Sequence, residues 1–85
     1  MHKKAAFNIA VGMVLKELQD ECGIDREKLS QSLETTSADI TMIENGDERM
    51  TAGELILLLT TFHVSWDDFM KRVQRNLSVA ETRIR

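Results

Sequence analysis

Proline is absent from this 85-residue chain, and glycine occurs only four times. Proline breaks the interiors of helices, whereas tight turns between strands depend on glycine and proline. Long continuous helices are therefore favoured, and a β-rich fold with many turns is disfavoured. The length is that of a single domain with a modest hydrophobic core. The sequence predicts one all-α domain over residues 1–85.

Cysteine and histidine are also scarce, with one cysteine and two histidines. Cys22 cannot form a disulfide within the chain. We expect it to be a buried or half-buried residue near a helix end, with a redox or intermolecular role as the alternative. The histidines and the cysteine show no metal-ligand spacing. No nucleophile–base pair or phosphate-binding loop occurs either, so the sequence predicts neither an enzyme nor a cofactor.

Long apolar runs are missing, since the longest one, Leu55–Leu59, is far shorter than a membrane span. The N-terminal segment MHKKAAFNIAVGMVL has the charges and apolar residues of a signal peptide. However, Asn8 interrupts it, no cleavage-like site follows, and its apolar positions continue into a helical stripe. We expect this segment to be part of the mature fold of a cytoplasmic protein that has no membrane partner.

Charge is spread unevenly along the chain, whose net charge is −3. Residues 1–16 carry three lysines and no acid, and residues 55–85 carry five bases and three acids. Residues 17–54 carry eleven acids and three bases, a charge of −8. The cations near the two ends are candidates for arms that touch an anionic partner, with solvated helix ends as the alternative: Lys3, Lys4, Lys71, Arg72, Arg75, Arg83 and Arg85.

Apolar spacing predicts five helices with short connections. The first runs from Ala6 to Leu18 and is stopped by Gly23. The pattern weakens at residues 76–78, and residues 79–85 are expected to be a short extra helix or a tail, so that residues 76–85 form a C-terminal extension. Phe62, Trp66 and Phe69 are expected in the core. Capping residues predict the starts of the other helices: Asp25, Thr36 with Asp39, Thr51 with Glu54, and Ser65 with Asp68.

A short helix, a tight turn and a second short helix span residues 26–45, as in helix-turn-helix DNA binders. The chain also carries, in this order, VGMVLKELQDECGIDREKLSQSL, TTSADITMIENG and LLLTTFHVSWDDFM. Over residues 11–70 it resembles the Cro and phage-repressor family, also called the XRE family. The resemblance implies a compact five-helix lambda-repressor-like DNA-binding domain, here with an extended first helix and the C-terminal extension. Such proteins are usually dimeric transcriptional repressors or self-regulating antitoxin-type proteins.

The same resemblance implies which residues meet double-stranded DNA. In the major groove, helix 37–45 would contact bases through Ser37, Ala38, Thr41 and Met42. Phosphates would be contacted by Arg26, Lys28, Thr36, Asn45 and Arg49. The hydroxyls of Ser37 and Thr41 can hydrogen-bond bases or phosphates, and Ala38 can touch a thymine methyl. The alternative is that these residues form an ordinary polar helix face.

Two positions depart from the family pattern. The turn position that is usually glycine is Glu34. The position on the first helix that often supplies an arginine to the buried glutamate is Gln19. The sequence therefore predicts that Glu44 has an amide or solvent as its partner.

Two functions of different classes remain open. The first is a sequence-specific DNA-binding transcriptional regulator, a homodimeric repressor whose half-sites lie about one helical turn apart or a multiple of it. The second is a helix-turn-helix protein-interaction module, an antirepressor or co-regulator, whose acidic middle binds another regulatory protein. Apolar residues beyond a minimal domain favour a partner, most simply a second copy: Phe7, Met13, Val14, Val73 and Leu77.

Overall fold

Five helices make up most of residues 5–83, the part of the chain that the computed structural model describes. In chain order they are α1 (Ala6–Cys22), α2 (Arg26–Ser32), α3 (Ser37–Glu44), α4 (Ala52–Phe62) and α5 (Trp66–Arg83). This part of the chain contains no strand and measures 33 × 28 × 22 Å. The predicted all-α class and the five helices are confirmed here.

Most helix ends follow the capping residues that the sequence predicts. α1 ends where Gly23 adopts a left-handed backbone, with a φ of 66°. The side chains of Asp25 and Thr36 accept backbone N–H bonds at the starts of α2 and α3. Thr51 and Glu54 form a reciprocal capping box at α4, with bonds of 2.8 and 3.0 Å. The predicted starts of these three helices are confirmed.

α5 continues through the place where the sequence predicts a break. Asn76 is buried, and its amide nitrogen donates to the carbonyl oxygen of Arg72 and to Oε2 of Glu17, each at 2.9 Å. The amide is thus satisfied inside the helix, and Ala80 is buried one turn later. Residues 76–83 therefore belong to α5 and do not form a separate helix or tail, while residues 84 and 85 lie outside the described part.

α1 packs against both α5 and α3, and its apolar stripe forms the middle of the core. Of the residues expected to form surplus apolar surface, Val14 and Val73 are deeply buried, and Met13 and Leu77 are partly buried against the core. Phe7 alone of that group is exposed. The expectation that these residues form a broad apolar surface on α1 and α5 is therefore corrected. Of the five, only Phe7, near the start of α1, contributes exposed apolar surface.

Two residues lie closer to solvent than the sequence predicts. Trp66 is 53 % exposed, although its ring stacks on that of Phe69 with 6.5 Å between the ring centroids. It is the first residue of α5, so little of the protein surrounds it. Cys22 is exposed because it ends α1 next to the turn at Gly23. Phe62 and Phe69 are buried, as expected.

Ion pairs join α5 to α1. Arg72 donates to both carboxylate oxygens of Glu21, at 2.7 and 2.9 Å, and these bonds lower the pKa of Glu21. Arg72 and Arg75 also approach Glu17, at 3.6 and 3.8 Å. Arg72 is thus engaged by α1, whereas Arg75 stays largely exposed. Their assignment as arms toward an anionic partner stays a prediction. Three other candidates for such arms, Lys3, Lys4 and Arg85, lie outside the described residues.

The connection between α2 and α3 turns at Glu34, which has a φ of 56°. The N–H of Thr35 bonds the carbonyl oxygen of Ser30 at 2.9 Å, as in a Schellman-type helix end. This left-handed backbone explains why glycine suits the position, since every other residue pays a steric cost there.

Replacing Glu34 by glycine is expected to raise the free energy of unfolding by about 1 kcal/mol, because glycine removes that cost. Urea unfolding followed by circular dichroism measures the change. The matched control is Glu27→Gly, at an exposed position within α2, which should lower stability by about the same amount. Destabilisation by both substitutions would show that Glu34 bears no backbone strain.

Candidate nucleic-acid interface

α2 and α3 form a closely packed pair at one end of the domain. Four apolar residues of this pair are almost completely buried: Leu29 and Leu33 in the first helix segment, and Ile40 and Ile43 in the second. Ser30 is also buried, and its hydroxyl donates to the carbonyl oxygen of Glu27 at 2.6 Å. The orientation of α3 is therefore fixed by its apolar side.

α1 supports α3 through a close backbone approach. A Cβ atom added at Gly12 would lie 2.5 Å from the carbonyl oxygen of Glu44 and nearer still to that of Ile43. At the other end of this contact, Gly46 turns with a φ of 79° beside Ile9. α3 is thus held from behind by the first helix, and its opposite side faces solvent.

The solvent side of α3 carries the four residues predicted to contact bases. Ala38 and Met42 are exposed, and Ser37 and Thr41 are half-buried. The hydroxyl of Thr41 donates to the carbonyl oxygen of Ser37 at 3.1 Å, so its proton is used within the helix. Thr41 is therefore left as a hydrogen-bond acceptor, whereas Ser37 can still donate and accept.

The start of α3 is ordered by two threonines and one carboxylate. Oγ1 of Thr36 accepts from the N–H of Asp39 at 3.1 Å, so the predicted capping role of Thr36 is confirmed. The hydroxyl of Thr35 donates to Oδ2 of Asp39 at 2.6 Å. Asp39 is thus engaged by Thr35 and by its own helix start, which favours capping over contact with a cytosine.

Arg26 has a partner that the sequence analysis missed. Its Nη2 lies 2.7 Å from Oε1 of Glu44, and Nε2 of Gln19 donates to Oε2 of the same carboxylate. The Glu44 side chain is only 3 % exposed, whereas that of Arg26 is 48 % exposed. The expectation that Glu44 has only an amide or solvent is corrected: a cation from α2 joins the amide of Gln19 at this carboxylate.

The remaining residues predicted to contact phosphates lie on different elements. Lys28 is exposed on α2, and Asn45 is the exposed C-cap of α3. Arg49 is exposed in the loop between α3 and α4 and makes no ion pair within the described residues. Thr36 lies at the start of α3. The candidate phosphate contacts are therefore spread over α2, the two ends of α3 and the loop that follows it.

Lys16 is a further cation that the sequence analysis did not assign to this site. A polar cleft of ≈ 220 Å³ is lined by Lys16, Gln19, Asp20, Arg26 and Glu44. Only the packing of α1 against α3 brings Lys16 close to Arg26, so no local sequence signal could have found it. Two cations therefore line the same cleft as the buried carboxylate of Glu44.

Acidic residues adjoin the same helix. Burial and then the charge of Asp39 raise the pKa of Glu48, whereas the hydrogen bond from Thr35 lowers the pKa of Asp39. Asp39 therefore stabilises the fold above its unfolded pKa, and this contribution is lost as the pH falls through its lowered folded value. Glu48 acts in the opposite sense. Its charged carboxylate destabilises the fold, and this destabilisation disappears as the pH falls through its raised folded pKa.

The chain matches no family model, no curated protein and no solved structure. The family resemblance of the sequence therefore stays a prediction. Within residues 5–83, no group of three or more histidine, cysteine or carboxylate side chains is placed to hold a metal ion. No helix in the described part of the chain is long and apolar enough to cross a membrane.

Proposed function

We propose that this chain is a sequence-specific DNA-binding transcriptional regulator, a dimeric repressor of the lambda-repressor-like, XRE-family type. The observation that carries the proposal is the packing of the short α2 against a capped α3 whose outer side bears uncharged side chains, most of them small. These are Ser37, Ala38, Thr41 and Met42, and a helix with such an outer side suits the major groove.

These side chains can make only a few hydrogen bonds to base edges. Ser37 can bond a base edge in either sense, Thr41 can only accept, and Ala38 can contact a thymine methyl. None of them makes the bidentate contacts that arginine or glutamine makes with purines. Specificity would therefore depend on a few small contacts, on bridging water and on the shape of the DNA.

Phosphate contacts would supply most of the affinity. Lys28 and Arg49 are exposed, and Arg26 presents the outer part of its guanidinium while it neutralises Glu44. About three contacts per subunit, or about six per dimer, would give a salt slope of roughly −5. Lys16 beside Arg26 would add to this value.

The test is selection of bound duplexes from a random DNA library by the purified chain, followed by a salt titration on the enriched sequence. We expect a palindromic motif and the steep salt dependence given above. Ser37→Ala should change the preferred bases, whereas Lys28→Ala should weaken binding to all sequences equally. Gln74→Ala, at an exposed and uncharged position of α5, is the control and should change neither property. Absence of enrichment by folded protein would contradict the proposal.

A second candidate is a protein-interaction module that binds a regulatory protein through its acidic side. Residues 25–49 contain seven acids and three bases, and one of those bases is paired with Glu44. Such a surface repels phosphates and attracts a basic protein. The double variant Asp47→Asn/Glu48→Gln separates the two functions, because it should strengthen DNA binding in the first and weaken capture of the protein partner in the second.

A further inference from the structure

An apolar cavity opens to solvent where the start of α1, the loop after α3 and the start of α5 meet. Its wall combines two half-exposed aromatic rings, Phe7 and Trp66, with two partly buried methionines, Met50 and Met70. The volume of the cavity is ≈ 80 Å³. An enclosed apolar cavity of roughly 150 Å³ can hold a benzene ring. This smaller, open cavity therefore suits a few carbon atoms of a ligand whose remainder lies across the exposed rings.

The lining of the cavity is suited to bind an apolar group. Val11 and Phe69 line it and belong to the buried core, so this part of the wall is held in place by the fold. The methionines are unbranched and polarisable, and they adapt to apolar groups of different shapes. An alkyl chain or an aromatic ring that enters would exchange water for contact with this wall, which is favourable.

One cation at the rim of the cavity has no ion-pair partner. Arg49 lines the cavity, is exposed, and makes no ion pair within 4 Å among residues 5–83. A guanidinium group binds a carboxylate through two parallel hydrogen bonds. Asn8, near the start of α1, lines the same cavity, and its amide can donate a further hydrogen bond. The rim therefore offers donors to an anionic group beside an apolar cavity.

The carboxylate next to Arg49 in the sequence is engaged elsewhere. Glu48 also lines the cavity, but its carboxyl shares a hydrogen bond with that of Asp39 in the first turn of α3. Burial, and then the charge of Asp39, raise the pKa of Glu48. Glu48 is thus directed toward α3, which leaves the guanidinium of Arg49 as the charge that a ligand can pair with.

We propose that this cavity binds a small monocarboxylate with a short apolar tail. The tail enters the apolar cavity, and the carboxylate pairs with Arg49 at its rim. The inference deepens the proposed function and rests on it in one respect, since Arg49 is also a candidate phosphate contact. A carboxylate and a DNA phosphate compete for the same guanidinium. Such a ligand would therefore weaken DNA binding and act as an effector of the regulator.

Binding is tested on the full chain without DNA, with hexanoate as the probe. Trp66 is the only tryptophan in the chain and lines the cavity, so its emission should shift to shorter wavelength and saturate as hexanoate is added. A ligand of this size can reach a dissociation constant on the order of 1 mM. Hexanol and hexylamine carry the same tail on a neutral and a positive head group. Hexanol should bind at least about fivefold more weakly than hexanoate, and hexylamine should not bind.

Two variants separate the role of the head group from that of the tail. Arg49→Gln should remove the preference for hexanoate over hexanol, whereas Lys28→Gln, which removes an exposed charge that does not line the cavity, should keep it. Phe7→Ala should weaken the binding of both ligands at least about threefold, because it removes part of the wall. Its control is Val79→Ala, at an exposed apolar position outside the cavity, which should weaken neither. Circular dichroism shows that each variant is folded.

Three results would overturn the proposal. They are the absence of binding by the folded wild type at roughly ten times the expected dissociation constant, equal binding of hexanoate and hexanol by the wild type, and an Arg49→Gln variant that still prefers hexanoate. A preference for hexylamine would also contradict it, because the head group would then be bound by a carboxylate such as that of Glu48.

The two proposals fail in different ways. If hexanoate binds as expected but no DNA sequence is enriched, the DNA-binding function is wrong and the carboxylate site stands. If a DNA sequence is enriched but hexanoate does not bind, the site is wrong and the function stands. If both are right, hexanoate should lower the affinity for the enriched duplex. Acetate at the same concentration has the head group without the tail, and it should not lower this affinity.

Discussion

Replacement of Gly12 by alanine is expected to lower the free energy of unfolding by about 3 kcal/mol, the largest effect that we predict for a single methyl group. The added Cβ would collide with the main-chain carbonyl oxygens of Ile43 and Glu44, where α1 crosses the end of α3. Main-chain atoms cannot rotate away as a side chain can, so the two helices would have to move apart. For a domain of this size, the melting temperature should fall by roughly 15 °C.

The control for this prediction is Gly53→Ala. Gly53 is exposed in the first turn of α4, and a Cβ there would meet only the hydroxyl oxygen of Thr51, at 3.9 Å. Alanine is the better helix former, so this variant should gain about 0.5 kcal/mol. Calorimetry of the two variants side by side gives the comparison. Equal melting temperatures would show that α1 and α3 are farther apart than the structure has them.

Arg26→Ala is expected to lower the free energy of unfolding by about 2 kcal/mol. Among the described residues, it leaves the buried carboxylate of Glu44 with Gln19 as its only side-chain partner. Removal of one member of a fully buried pair costs roughly 3–5 kcal/mol. We expect less here because Arg26 is half exposed and the interaction is partly screened by solvent.

A double-mutant cycle with Glu44→Gln isolates this interaction. The coupling energy should be about 1–2 kcal/mol, because the neutral amide no longer needs a cation. Arg75→Ala is the control, since Arg75 is largely exposed and lies 3.8 Å from Glu17, and it should cost less than about 0.5 kcal/mol. A coupling energy near zero would mean that Arg26 and Glu44 do not interact in solution.

The pairing with Glu44 also affects how Arg26 is tested as a phosphate contact. A loss of DNA affinity in Arg26→Ala combines the missing contact with a smaller folded fraction. Lys28→Ala and Arg49→Ala do not have this complication, because both residues are exposed and make no ion pair within 4 Å among the described residues. Affinities of all three variants should therefore be compared at a temperature where each is fully folded.

Local sequence signals predicted most of the helix starts and ends. Asp25, Thr36 and Thr51 cap the helices that follow them, and Gly23 ends α1 in a left-handed conformation. Each of these features depends on hydrogen bonds between residues only a few positions apart. The turn at Glu34 was located by the family resemblance and not by a local signal, since glutamate is not the residue that such a turn favours.

The candidate site was predicted only in part. The exposure of Ala38 and Met42 follows from the period of α3, whose buried residues are Ile40 and Ile43. The ion pair of Arg26 does not follow, because it joins residues 18 positions apart. The family resemblance implied that this arginine contacts a phosphate, but whether its guanidinium is already paired depends on which carboxylate the fold places beside it.

The sequence by itself determined the all-α class, the five helices and the pair formed by α2 and α3, since apolar periodicity and capping act within one or two helical turns. The tertiary structure decided that α5 continues through Asn76, that Trp66 stays half exposed and that Gly12 is needed where α1 meets α3. Each of these depends on atoms of another helix, whose distance and orientation are set only when the whole core packs.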